Sequence, residues 1–371
     1  MIRPKELRIG ELTARLPLIQ GGMSVGISLA GLASAVANEG GVGVIGTAGI
    51  GMFGADAYVP GTDFIEVNNR ALRHQIRRAR ALMTDGLLGV NIMVALSNFA
   101  ELARTAIEEG VDFIFAGAGL PLNLPALLQG RTHTKLVPII SSGRAARIVC
   151  KRWTEKYSYV PDAVVLEGPL AGGHLGFKEE QIDDPAYSLE NLLPEVLEAV
   201  RPFAEAAGRP IPVIAGGGIY TGADMYRFLK MGAAAVQMAT RFVTTVECDA
   251  SIEFKQAYID ARPEDIVIIK SPVGLPGRAI RNQFLDDVAR GEKKPFRCPY
   301  HCIITCDMYN SPYCIALALI NAQRGILKNG FAFAGANAYR ATAIVPVRQV
   351  IAELLQEYDA AARAAGEEEQ G

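Results

Sequence analysis

IPVIAGGGIYTGADMYRFLKMGAAAVQMATRF, residues 211–242, contains two short apolar runs joined by a helical segment. The runs IPVIAGG (211–217) and AAAVQMA (233–239) are continuously apolar instead of alternating. That is the pattern of strands in a parallel sheet covered on both faces. Between them Thr221 is placed to cap GADMYRFLKMG, and Gly232 closes it. Three successive glycines, Gly216, Gly217 and Gly218, end the first run. They let backbone N–H groups turn toward an anion without interference from a Cβ. A helix starting a few residues later is expected to bring its positive end to the same place. Met238, Ala239 and Thr240 end the second run, offering amides and a hydroxyl to complete a cup. Alone, this motif describes a phosphate site, suited equally to a cofactor and to a sugar phosphate.

The same unit repeats upstream. LPLIQ (16–20), GVGVIG (41–46), LLGVNIMVA (87–95), VDFIFAG (111–117), KLVPII (135–140) and DAVVLEG (162–168) are further short runs rich in Val and Ile. Helical segments alternate with them, among them Ser28 to Asn38, Asn69 to Met83, and FAELARTAIEEG behind a capping Asn98. Eight such alternations select a (β/α)8 TIM barrel over an open doubly wound sheet, which is the alternative. Two connections, 47–68 and 175–189, are long enough to act as lids or substrate walls. Past Phe242 the pattern changes. Residues 1–242 and 331–371 are assigned to the barrel, and 243–330 to a smaller, mostly helical insertion with irregular turns such as SPVGLPGR (271–278). An amphipathic helix is expected over 341–358, and a disordered tail in GEEEQG (366–371).

With 37 basic and 39 acidic residues the net charge is −2. No strong field favours nucleic acid or an anionic membrane, and no apolar run reaches the ~20 residues of a membrane span. The start lacks the features of a signal peptide. A cytoplasmic protein with a small-molecule substrate is expected, and a homodimer is compatible with these totals.

Several residues at strand ends carry chemistry. Gly21, Gly22 and Met23 stand at the mouth of the first strand, where bare backbone can approach a flat ring. Asn91, on the third strand, supplies an amide that donates and accepts, and Glu167 at the end of the sixth adds an acceptor. Gln237 precedes the cup on the eighth strand. His174, in LEGPLAGGHLGF (166–177), lies among glycines just past a strand, and an imidazole titrating near neutrality there suits proton transfer. Four of the six cysteines, Cys298, Cys302, Cys306 and Cys314, fall within seventeen residues at spacings x3, x3, x7. On a helix the first three would share one face, and four thiolates suit an iron–sulfur cluster or structural zinc. Unligated buried thiols remain a third reading.

In this order, LPLIQGGM, VNIM, EGPLAGGHLGF, IPVIAGGGI and VQMATRF resemble the 2-nitropropane dioxygenase family. That family includes nitronate monooxygenases and flavin-dependent enoyl-acyl-carrier-protein reductases. The resemblance, over roughly residues 10–290, implies FMN held by Gly22, Met23, Asn91, Glu167, Gly173, Gly216 to Gly218 and Met238 to Thr240, with His174 catalytic. It departs from the family where Leu170-Ala171 replaces the usual Glu-Ala before Gly-Gly-His, and where Ala239 replaces a glycine. The cysteine cluster lies outside the common pattern.

The resemblance implies an FMN-dependent nitronate monooxygenase, oxidising alkyl nitronates, or nitroalkanes deprotonated by His174. The alternatives are a flavin-dependent reductase of an activated C=C bond, fed by NAD(P)H or an iron–sulfur cluster, and a flavin-free phosphate-binding lyase or isomerase.

Overall fold

A computed structural model describes residues 1–371 apart from 55–56, 60, 293–297, 299 and 369–371. The chain begins with an antiparallel hairpin, β1 (Leu7–Ile9) and β2 (Leu12–Ala14). Eight parallel strands then close a barrel: β3 (Leu18–Gln20), β4 (Val42–Gly46), β5 (Leu87–Met93), β6 (Phe113–Gly117), β7 (Lys135–Ile140), β8 (Val164–Glu167), β10 (Val213–Gly216) and β11 (Ala235–Met238). The last pairs back onto β3, so no sheet edge is left. All eight apolar runs of the sequence are barrel strands, and the fold is a (β/α)8 barrel.

Alternate residues of the strands form an inner cluster that includes Ile19, Val44, Phe113, Phe115, Val137 and Ile214. Leu7, Ile9 and Ala14 of the hairpin join that cluster and plug one end. The other strand residues face the surrounding helices, which is why these strands read as apolar throughout. The helices of the wall are α1 (Ala30–Asn38), α2 (Phe64–Leu82), α3 (Phe99–Glu108), α4 (Gly143–Tyr157), α5 (Leu189–Ala207) and α6 (Gly222–Lys230). A 3-10 turn, Leu124–Leu127, stands in for a helix between β6 and β7. Thr221 caps α6 as expected, whereas Asn98 stands at the start of α3 without making a cap bond.

After β11 come α7 (Thr240–Val243), α8 (Ile252–Ile259), α9 (Gln283–Ala289) and α10 (Ile315–Gln323), and the chain returns in α11 (Val347–Ala364). The return helix starts later than expected because Pro346 occupies its N-cap. Residues 243–330 also hold two strands, β12 (Ile266–Lys270) and β13 (Pro276–Ile280), which pair antiparallel and take β9 (Gly173–His174) as a third strand. So SPVGLPGR is a hairpin turn running into a strand, and the insertion is less helical than its sequence suggests. The four clustered cysteines lie within no helix: residues 300–314 form turns, with a bridge between Ile303 and Leu96. In the polar tail, Glu367 accepts from Tyr226 and Lys230, and 369–371 lie outside the described residues. No helix among the described residues is long and apolar enough to cross a membrane.

Candidate active site

The C-terminal ends of the barrel strands open into a cavity of about 310 Å³. Gly21, Gly22, Met23, Asn91, Glu167, Gly173, His174, Gly217, Gly218, Gln237, Met238, Ala239 and Thr240 all line it. Gly216 is buried behind them in β10. Of the long connections, 47–68 contributes Ala48, Gly49, Met52 and Phe64 to the wall. The 175–189 connection contributes nothing, because beyond His174 the chain leaves the cavity along β13, with the Leu175 N–H donating to the Pro276 carbonyl.

At one end lies the glycine turn. Gly217 and Gly218 have φ of +92° and +93°, and a Cβ on Gly217 would stand 2.7 Å from the Gly168 carbonyl oxygen. Asn337 holds the turn through its Nδ2, which donates to the Gly218 carbonyl at 2.7 Å. Opposite, Thr240 Oγ1 accepts from the Gly335 N–H at 3.1 Å, leaving its own proton for another acceptor. Carboxylates already engage N–H groups at the N-terminus of α6. Asp224 accepts from the Tyr220 and Thr221 N–H groups, and Glu357 of α11 from that of Gly222. Those carboxylates already satisfy the helix end, so an anion is left with the turn and the Ala239–Thr240 corner.

At the other end Gly22 packs closely on its neighbouring strands. A Cβ on Gly22 would fall 2.4 Å from Asn91 Cβ, so only glycine fits beside that strand. The side chains of Asn91, Glu167 and Gln237 face the cavity without a hydrogen-bond partner among the described residues. Burial alone pushes the Glu167 carboxyl up to about 7, so near neutrality it carries a proton much of the time.

His174 sits on β9, paired in register with Gly277. Its Nε2 lies 2.7 Å from Ser271 Oγ, and its ring meets Phe333 edge-on at 5.0 Å. Burial pushes the imidazole down to about 4. The titration near neutrality expected from the sequence is therefore corrected, and the ring is neutral at pH 7 because nothing nearby offsets the loss of water. Arg278 of β13, itself buried, donates to the carbonyls of Pro169 and Ala171 and fixes the loop leading to the histidine. Leu170, at the family's carboxylate position, packs beside Gly218.

Cys302 reaches the cavity wall, while Cys298, Cys306 and Cys314 do not line it. Among the described residues no three His, Cys, Asp or Glu side chains are placed to hold a metal ion. Sequence reading missed Ser271, Arg278, Phe333, Gly335 and Asn337 as parts of the site. Only FAFAGANAYR, residues 331–340, with its glycine amid small residues, gave a hint of close backbone approach.

The description of the nitronate monooxygenase family matches residues 5–357. The chain belongs to the nitronate monooxygenase family. A probable nitronate monooxygenase of Staphylococcus saprophyticus is 27% identical over 298 residues, covering 74% of this chain and 78% of that protein. The (3aS,4S,5R,7aS)-5-hydroxy-7a-methyl-1-oxo-octahydro-1H-indene-4-carboxyl-CoA dehydrogenase of Mycobacterium tuberculosis is 28% identical over 277 residues. That match covers 75% of this chain and 66% of the dehydrogenase, just under two thirds of its length. Among solved structures, FabK from Thermotoga maritima superposes with a TM-score of 0.71 at 29% identity, covering 94% of each chain. This nitronate monooxygenase family member is thus an oxidoreductase on a TIM barrel.

Proposed function

We propose that this protein binds FMN and oxidises alkyl nitronates, or nitroalkanes that His174 first deprotonates. The observation that carries the reading is an anchored His174 on the wall of a cavity whose far end is a glycine-lined turn. The residues fit the cofactor. The Gly217–Gly218 amides and the Thr240 hydroxyl suit its phosphate, and the unpartnered Asn91, Glu167 and Gln237 suit the polar edge of its ring. Bound there, FMN supplies the two-electron chemistry, and the protein supplies position and charge.

The rest follows from this chain's own groups. His174 has Nε2 engaged with Ser271, so Nδ1 is the nitrogen open to substrate. With the Nε2 proton donated to Ser271 Oγ, Nδ1 takes a proton from the carbon beside the nitro group, and the C–H electron pair stays on the substrate as nitronate. A conjugate acid near 4 makes a weak base in water. An anion forming beside it favours the imidazolium, and so raises that value as the proton moves.

A second reading is favoured by the wall. Met52, Phe64, Met93, Leu96, Ile303 and Leu319 make it largely apolar, more than a short nitroalkane requires. An acyl thioester, reduced or oxidised beside its carbonyl, would use that surface, in keeping with the CoA dehydrogenase among the relatives. Anaerobic mixing separates the two. Bleaching of the flavin absorbance by ethyl nitronate supports the first. Failure to bleach, together with reoxidation of the reduced protein by an enoyl thioester, replaces it with the second.

A further inference from the structure

The segment carrying the cysteines is tied to the barrel mouth. The Ser97 N–H donates to the Cys302 carbonyl at 3.1 Å, and the Ile304 N–H to that of Ala95 at 2.9 Å. These bonds hold the segment against the loop that follows β5, the strand of Asn91, and place Cys302 and Ile303 in the cavity wall. Cys314 sits at the N-cap of α10. The spacing would align the first three on a helix face, but the segment folds as turns.

Three of the four sulfurs are met by a hydrogen-bond donor. The His301 N–H approaches Cys298 Sγ at 3.4 Å, in a turn where His301 takes φ +45°. The Ala316 and Leu317 N–H groups at the start of α10 meet Cys314. The Cys302 sulfur is met by its own backbone N–H. Donors aimed at sulfur stabilise a thiolate and tune a bound cluster. The four also feel one another. Cys298, Cys306 and Cys314 each lie near enough to Cys302 to interact with it electrostatically, and Cys298 and Cys306 near enough to Cys314. None of the six cysteines is in a disulfide.

We propose that Cys298, Cys302, Cys306 and Cys314 hold an iron–sulfur cluster beside the active-site cavity. A polynuclear cluster fits better than one ion. Zinc, with bonds of about 2.3 Å, draws four sulfurs to within about 4 Å of each other. A cluster carries its own bridging sulfide and spans a wider set of thiols. At this place it supplies one-electron exchange with a redox group in the cavity. That use rests on the flavin proposed above, whereas the site itself does not.

The test uses the full-length protein, purified without oxygen and rebuilt with ferrous iron and sulfide. The expected content is about two to four iron per chain with matching acid-labile sulfide, and a broad visible shoulder that dithionite bleaches. Cys302→Ser and, separately, Cys314→Ser are expected to lose most of the iron and sulfide while circular dichroism stays unchanged. Cys150→Ser, buried in α4, is expected to keep both. FMN released from the same samples is counted separately, so cluster without flavin supports this proposal while sinking the flavin reading. Rebuilt wild type that holds no iron, or zinc without sulfide, overturns the proposal. So does full loading of both cluster variants.

Discussion

His174 Nε2 and Ser271 Oγ lie 2.7 Å apart across 97 positions of sequence, and their pairing leaves Nδ1 as the nitrogen for the proposed base. Ser271 is buried and also receives the Val273 N–H at 3.4 Å, so its hydroxyl is fixed before any ligand arrives. Ser271→Ala removes the anchor without touching substrate. Leaving a buried polar atom unpaired costs about 1 to 3 kcal/mol, so kcat is expected to fall by roughly tenfold or more. The 15N shifts of the imidazole should show a change of tautomer, and Ser271→Thr should restore both signals. An unchanged tautomer ratio in the alanine variant would mean that Ser271 only fills space.

Replacing His174 itself separates catalysis from binding. His174→Asn is expected to keep FMN and to slow turnover of a neutral nitroalkane by about 10² to 10⁴-fold, the usual share of a general base. With a preformed nitronate the loss should be smaller, since that proton has already gone. Equal losses on both substrates would assign the ring to orientation or charge stabilisation and end its role as base.

The barrel was readable in the sequence because each strand is a short Val/Ile run closed by glycine or a small residue, a pattern set by neighbours in the chain. The cradle was readable for the same reason, since Gly216 to Gly218 and Met238 to Thr240 each form one local motif. What escaped depended on distant partners. Nothing near Gly222 announces that Glu357, 135 residues on, occupies the end of α6. Nothing near His174 announces Ser271, or a burial that carries its titration well below neutrality. The run IVIIK (266–270) forms β12 inside a segment read as mostly helical, and the sheet's third strand, β9, is only two residues long. The cysteines misled differently. Their spacing fits a helix face, yet that segment folds as turns because its bonds go to Ala95 and Ser97.

The glycine turn yields a structural prediction. At φ +92°, with Gly168 backbone 2.7 Å from where a Cβ would be, Gly217 has no room for even a methyl group. Gly217→Ala should shift the turn, misaim its amides and release the cofactor on gel filtration, while circular dichroism still reports a folded barrel. The control is Gly208→Ala. Gly208 also has positive φ but meets nothing within 4 Å, far from the cavity at the end of α5. It should lose some stability and keep the flavin. Full FMN occupancy in Gly217→Ala would place the phosphate elsewhere.

Glu167 and His174 predict opposite responses of stability to pH, measurable on flavin-free protein by thermal melting. Glu167 titrates at about 7 when folded against 4.5 as its ordinary value. The folded state therefore holds its proton longer. The associated stability is fully present below pH 4.5 and is lost as pH rises through 7, a difference on the order of 3 kcal/mol. His174 titrates at about 4 when folded against 6.5. Its contribution is present above pH 6.5 and lost as pH falls through 4. Glu167→Gln cannot ionise, so relative to wild type it should gain melting temperature between pH 5 and pH 8. His174→Asn should gain on moving from pH 7 to pH 4. If Glu167→Gln tracks wild type across the whole range, the carboxyl is paired or hydrated in solution. In that case it does not wait protonated for the ring edge of the proposed flavin.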